Sequence, residues 1–441
     1  MTRWLLAPRD ARAFWASSVI PSDQFLLYCF DHGGAPSPSA AEVADQVIAR
    51  APSVPDLRLR VAPAPLGLEH PAWAPCDVID VREGVARHWD RVPEAVARLF
   101  ARQVDATVVP WRLHVFPHVA GAPRCAGTAT VVVLQIAHVL ADGRRSADIA
   151  RRLFGAEAPG PEPVPPPPPP APVRAARGLA GLPIALARTV ARGIGVGGAR
   201  AEIDRRTRAG ELPEPVPGCP PTVLNARPDE SRDVRMLVRE GARVAGTATV
   251  TVGALTAVSV AVERYLRRRG GAVPERLCAE VMVARPPRGD ERNAFGNVSV
   301  PLFPGIPAED RPARIAAALD GARRRAGSGL WRTVGAADDA SPAVLAQLGV
   351  HAFDPGLRPE LMAGTTVLSS VNRGPADLRL LGGRSAFTAG FPALSPAMGL
   401  THGVHGLGDA VAISVTSSRT AVPDPDAYAA ILAEALDARQ A

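Results

Sequence analysis

An α/β or α+β fold is predicted by three observations. Short runs rich in β-branched apolar residues, such as Thr128–Ile136 and Ala410–Thr416, alternate with segments whose apolar residues recur at helical steps. The chain has 441 residues and is 47% hydrophobic, enough for a large core and for two or three domains. A proline-rich tract, PGPEPVPPPPPPAPV at residues 159–173, divides the pattern into halves. The expected organisation is a first lobe over 1–157, a linker with a basic segment over 158–217, and a second lobe over 218–441.

The elements follow in order. A short helix precedes a strand at Phe25–Phe30, then come a helix over Ala40–Arg50 and a strand over Leu57–Val61. Val96, Leu99 and Phe100 form the apolar face of a helix over Pro93–Gln103. Residues 108–116 read as a strand, and so do Thr128–Ile136. His138 stands just past the latter, before a turn ending in Asp142-Gly143. Ser146 is expected to cap the next helix, with Ala147, Ala150 and Phe154 on its inner side.

The proline tract reads as an extended spacer. Gly178–Arg200 reads as a basic amphipathic helix, with Pro183 at its start and Arg188 and Arg192 one turn apart. Such a helix is either an ordinary surface helix or one that lies on a membrane. Thr251 is expected to cap a helix through Arg268, stopped by Gly270-Gly271. Strands are expected at Leu277–Arg285, Asn297–Phe303 and Thr365–Asn372, with a helix at Arg311–Ala326. Leu380–Gly383, Gly399–Val404 and Ala410–Thr416 continue a strand-rich end, and Pro423–Leu436 is a terminal helix.

Composition removes several classes. The net charge is +7, and all 50 basic residues are Arg, scattered among 43 acids. With 5% aromatics, a base-stacking nucleic-acid surface is unsupported. A mild positive field favours phosphorylated partners or an anionic membrane. Cys29, Cys76, Cys125, Cys219 and Cys278 are far apart and form no CxxC pair, which fits a reducing cytoplasm rather than a zinc or disulfide framework. The N-terminal apolar run is too short for a signal peptide, and no stretch reads as long and apolar enough to span a bilayer. Neither a GxxxxGK[ST] loop nor a GxSxG elbow is present. His114 and His118 have no ligand-spaced partners, and in a strand His402 and His405 face opposite ways, so no metal site is expected.

His138, Asp142 and Gly143 resemble the HHxxxDG signature of the CoA-dependent acyltransferase superfamily, with Ala137 in place of the first His. Other blocks resemble its wax ester synthase/diacylglycerol acyltransferase branch, in order along the chain. They are Pro8-Arg9-Asp10, the segment around Pro71, Trp73, Asp80 and His88, an altered Val109-Pro110-Trp111, Phe295-Gly296-Asn297, and Asn372-Arg373-Gly374-Pro375. Residues 224–239 resemble the re-entry into the second lobe, and Gly253-Ala254 replaces an Asn-Asp pair.

The resemblance implies two chloramphenicol-acetyltransferase-like lobes with the active site in a channel between them. It assigns His138 as general base, Asp142 and Gly143 as supports of the turn, and Asn297 and Asn372 as channel-lining residues. It implies an ion pair from Asp142 to an Arg. No cofactor is implied beyond the acyl-CoA or acyl-carrier-protein donor, and the acceptor is an alcohol or amine. The expected location is cytoplasmic, with contact to the inner face of the membrane as an option. Three functions remain open: ester synthesis from acyl-CoA, a specialised-metabolite ester- or amide-forming enzyme with a CoA- or carrier-bound donor, and a non-catalytic protein that binds acyl chains or carriers.

Overall fold

The computed structural model describes residues 4–156 and 160–438. The expected boundary at 157/158 lies outside the described residues. The first half contains α1 (Pro8–Ala16), β1 (Gln24–Asp31), α2 (Ala40–Arg50), a short ribbon of β2 (Leu59–Ala62) and β3 (Ala72–Pro75), and β4 (Val81–Glu83). It continues with α3 (Val92–Leu99), β5 (Trp111–Val119), β6 (Ala129–Ile136) and α4 (Gly143–Phe154). Ser39 and Glu42 start α2 with a reciprocal capping box.

α5 (Ala171–Arg208) links the halves and runs for 38 residues. It takes in the last three residues of the proline tract, and Pro183 lies within it, not at its start. By length and composition it is long and apolar enough to cross a membrane, against the sequence expectation, and its most apolar stretch is not buried. Upstream, Glu162 accepts from Arg152 and its backbone N–H bonds to Pro52, so the proline tract is tied to the first lobe.

The second half contains β7 (Asp233–Glu240), α6 (Gly241–Ala245), α7 (Val250–Arg268), β8 (Cys278–Ala284), β9 (Phe295–Pro301) and α8 (Arg311–Gly327). It continues with α9 (Gly329–Asp338), α10 (Ala343–His351), β10 (Thr366–Asn372), β11 (Arg379–Leu380), β12 (Gly383–Phe391), β13 (Leu400–Leu407), β14 (Ala410–Ser417) and α11 (Pro425–Asp437). Thr249, not Thr251, caps α7, accepting from Val252 N at 3.3 Å. The Thr251 hydroxyl instead lies 2.8 Å from Ser370 Oγ.

Two six-stranded sheets organise the molecule. The first has the order β11, β12, β1, β6, β5, β4, and the second β7, β14, β13, β10, β8, β9. β11 and β12 therefore belong to the first lobe's sheet although they fall inside the range expected for the second lobe. Alternation gives the first sheet two apolar faces. Tyr28, Val132 and Leu134 face one core, while Leu27, Val131 and Val133 face another that includes Val234 and Ala412 of the second lobe. β12 packs on β13 at two glycines: a Cβ on Gly403 would lie 2.1 Å from the Gly390 carbonyl oxygen. The lobes thus share a strand and a core, which fixes the junction where β6 ends.

Candidate active site

His138 follows β6 directly. Ala137 N donates to Pro110 O at 2.8 Å and Leu140 N to Ala137 O at 2.9 Å, so the chain turns sharply after the strand. The Asp142 carboxylate caps α4, accepting from the backbone N–H groups of Arg144 and Arg145 at 3.1 and 2.9 Å. This corrects the expected cap: Ser146 is buried within the helix, and its hydroxyl donates to Gln24 Oε1 at 3.3 Å. Gly143 is not among the residues with positive φ. A Cβ there would meet Val371 Cγ2 at 3.1 Å, so this glycine allows close approach of β10 instead of setting a turn angle.

Asp142 also reaches across the junction. Its second oxygen accepts from Ala294 N at 3.0 Å, and its own N–H donates to Arg292 O at 3.2 Å. The partner expected for Asp142 was an Arg side chain; the recorded partners are backbone N–H groups. Asp10, from the Pro8-Arg9-Asp10 block, grips the same segment from the other side. It accepts from Arg292 N at 2.9 Å, Asn293 N at 3.0 Å and Asn293 Nδ2 at 2.9 Å. Asn293 Nδ2 donates in addition to the His138 carbonyl at 2.9 Å. Burial raises the Asp10 pKa, opposed by these donors.

Arg292 points away from this clamp into an ion network. Its guanidinium and that of Arg145 both pair with Asp56, Arg145 through two bonds of 2.8 Å. Burial pushes the Asp56 carboxyl up, but Arg292 and Arg145 outweigh it and hold its pKa below the ordinary value. Arg292 also lies over Trp73, its guanidinium carbon 4.3 Å from the ring centroid. Trp73 is therefore both a core residue and the platform for this cation. Three blocks far apart in sequence, around Asp10, Trp73 and Asp142, converge on residues 292–294.

The His138 ring lies parallel to Phe295, at 9° with centroids 5.7 Å apart, and Arg9 covers Phe295 at 4.9 Å. Its Nδ1 is 3.1 Å from Gln24 Nε2, an amide that also donates to the Ala141 carbonyl. Burial lowers the His138 pKa, with Arg9 adding to the effect; its own backbone carbonyl, Asp142 and Asn293 oppose it. The ring is therefore neutral near pH 7 and retains a lone pair able to take a proton.

The two asparagines expected along the channel are elsewhere engaged. Asn297 shares the Phe295 face of β9 but is exposed and donates to Glu280. Asn372 is exposed and accepts from Gly374 N at 3.0 Å. In that block Arg373 is the residue that reaches inward, donating to Tyr28 Oη at 3.0 Å and His405 Nδ1 at 2.8 Å. His402 faces the other way, its ring nitrogens at Thr366 and Tyr428. No cluster of metal-ligating side chains occurs among the described residues. Sequence reasoning missed Asn293 and Gln24. Neither lies in a motif, and the only signal was position, just ahead of Phe295 and at the start of β1.

Two α/β lobes meeting at a histidine define the class of two-lobed acyltransferases. Residues 25–251 match the wax ester synthase/diacylglycerol acyltransferase catalytic domain, and residues 293–439 match the C-terminal domain of the same proteins. The chain belongs to this family and is an acyltransferase. Its fold is similar to that of the wax ester synthase/diacylglycerol acyltransferase from Marinobacter aquaeolei VT8, with a TM-score of 0.65 and 18% identity over 99% of this chain and 98% of that one. It is also similar to a mutant starter condensation domain of rhizomide synthetase in complex with C8-CoA and Leu-SNAC (TM-score 0.55, 12% identity, 100% and 94% covered). A third similar structure is the first condensation domain of the calcium-dependent antibiotic synthetase in complex with a substrate analogue (TM-score 0.54, 14% identity, 99% and 97% covered).

Proposed function

We propose that this chain transfers an acyl group from the thioester of an acyl-CoA to an alcohol, with His138 as general base. The observation that carries the reading is a neutral imidazole held at the lobe junction, its backbone fixed from the second lobe by Asn293. An alcohol is a weak nucleophile until its proton leaves. In the proposed step the unprotonated nitrogen of the neutral ring takes the hydroxyl proton. The alkoxide oxygen attacks the thioester carbon. The tetrahedral oxyanion collapses, the C–S bond breaks, and the thiolate leaves with the proton returned by the imidazolium. No acyl-enzyme forms. Asp142, as the cap of α4 and a tether to Ala294, holds the turn that presents the ring.

A second reading is favoured by the likeness to condensation domains and by the departures at Ala137, Gly253-Ala254 and Val109-Pro110-Trp111. Here the donor is a carrier-bound thioester and the acceptor an alcohol or amine on a small scaffold. Thiol release from acyl-CoA against release from acyl-pantetheine carriers, with products read by mass, separates the two. Release from neither donor would contradict both and support the binding-only protein.

A further inference from the structure

The first sheet carries a cationic cavity on the face turned away from His138. Side chains alternate along a strand, so Gln24, whose amide touches the His138 ring, projects with its partner Ile136 to one face. Arg112 and His114 of β5 and Gln135 of β6 project to the other. Arg82 of β4 stands in register with His114. The end of α3 and the residues after it bring Arg98 and Arg102 over the same face. Together they line a cavity of about 670 Å³, within the range of small-ligand sites.

The wall is cationic throughout. Four guanidinium groups line it and no acidic side chain does. Asp80 is shared by Arg82 and Arg112, and lines a separate cleft with Val78 and Val108. Glu94 takes Arg98 at 2.8 Å. The Arg102 guanidinium makes no hydrogen bond or ion pair among the described residues. The floor is buried and polar. His114 Nε2 lies 2.9 Å from Gln135 Oε1, and Gln135 Nε2 donates to the Asp23 carboxylate and to the Arg102 carbonyl, each at 2.7 Å. The last bond fastens the chain after α3 to the sheet, which places Arg102 at the rim. Asp23 lies beneath Gln135, its second donor the Val104 N–H at 2.8 Å. Burial lowers the His114 pKa, opposed by Gln135 and Asp80 and reinforced by Arg112 and Arg82.

We propose that this cavity binds a small molecule carrying two or more phosphate groups. A guanidinium fork matches phosphate oxygens in paired hydrogen bonds, and Arg82, Arg98 and Arg102 are exposed to supply them. A concave wall of one sign focuses its field on the ligand. Four cations spread over the cavity suit several phosphates better than one. The nucleotide end of CoA and a free nucleotide share this chemistry.

Isothermal titration calorimetry of the full chain with inorganic pyrophosphate tests the site, and does not depend on turnover. Binding is expected at low salt and should weaken as salt rises. Arg98→Gln with Arg102→Gln is expected to weaken it at least about tenfold. Arg188→Gln with Arg200→Gln, on α5, removes the same charge and should leave binding unchanged. All four side chains are exposed, so thermal unfolding of both variants should match the parent. Absence of pyrophosphate binding, its persistence in the Arg98/Arg102 variant, or equal loss in both variants would overturn the proposal. Kinetics separate the two sources. A KM for acyl-CoA raised in the Arg98/Arg102 variant, with kcat kept, assigns the cavity to the nucleotide end of the donor. An unchanged KM, with pyrophosphate binding lost, assigns it to a separate phosphorylated metabolite.

Discussion

Asn293 of the second lobe donates one amide to two acceptors of the first: the His138 carbonyl and the Asp10 carboxylate, each at 2.9 Å. A single side chain thereby ties the proposed base to the buried acid of the N-terminal block and closes the lobe junction around both.

Removing that amide should affect catalysis and folding together. Asn293→Ala leaves a buried carboxylate and a carbonyl each short of a donor, a cost of about 1–3 kcal/mol. The ring position loosens as well, and a displacement approaching an ångström costs up to about a hundredfold in rate. The expected result is a lower melting temperature and a kcat reduced about tenfold or more, with KM little changed. An unchanged kcat in a folded variant would remove Asn293 from the account.

Gly143 tests whether space, not turn geometry, fixes that position. A Cβ there meets a flexible methyl of Val371 at 3.1 Å, so Gly143→Ala should cost only about 1 kcal/mol. Val371→Ala removes that methyl. In a double-mutant cycle the pair should then be less destabilised than the sum of the two single changes. Strict additivity in chemical denaturation would contradict the steric assignment.

The pH dependence follows from the sign of the His138 shift. The deprotonated ring is the active form, and burial lowers its pKa from 6.5. Activity should therefore hold through neutral pH and fall only below 6.5. Arg9 contributes to the lowering, so Arg9→Gln should move the acidic limb to higher pH. A limb that moves to lower pH in this variant would refute the electrostatic coupling.

Stability should have its own acid limb at His402. This ring is fully buried between Thr366 and Tyr428, and burial lowers its pKa to about 4. Between about 4 and 6.5 the unfolded chain binds a proton that the native chain excludes. The stabilisation from the neutral ring is complete above 6.5 and lost as pH falls towards 4, up to roughly 3 kcal/mol. His402→Asn should be less stable at pH 7 yet show a shallower decline over that window in urea unfolding. An unaltered slope would assign the acid limb to other groups.

Local signals in the sequence located most elements, and long-range pairings account for the misses. α2 spans Ala40–Arg50 as expected, because capping and periodicity are properties of a few adjacent residues. The α4 cap was misplaced because Asp142-Gly143 reads equally as a turn and as a helix start; Asp142 is both. β12 was missed because GRSAFTAGF has weak alternation, and its partner β1 lies more than 350 positions away. His138 and Asp142 were singled out by resemblance to the HHxxxDG signature, and the structure places them in one turn between β6 and α4. Asn293 was not, since its importance comes from Asp10, 283 positions distant. Asn297 and Asn372 were chosen by motif, and each makes a nearby bond that leaves it at the surface.

The central claim is that His138 removes the acceptor's proton during acyl transfer. The direct measurement is acceptor-dependent thiol release from acyl-CoAs of graded length, wild type beside His138→Ala, with product masses determined. The account predicts release and a matching ester for the wild type, both lost in a variant that still folds and binds acyl-CoA. Release that persists in His138→Ala would contradict it.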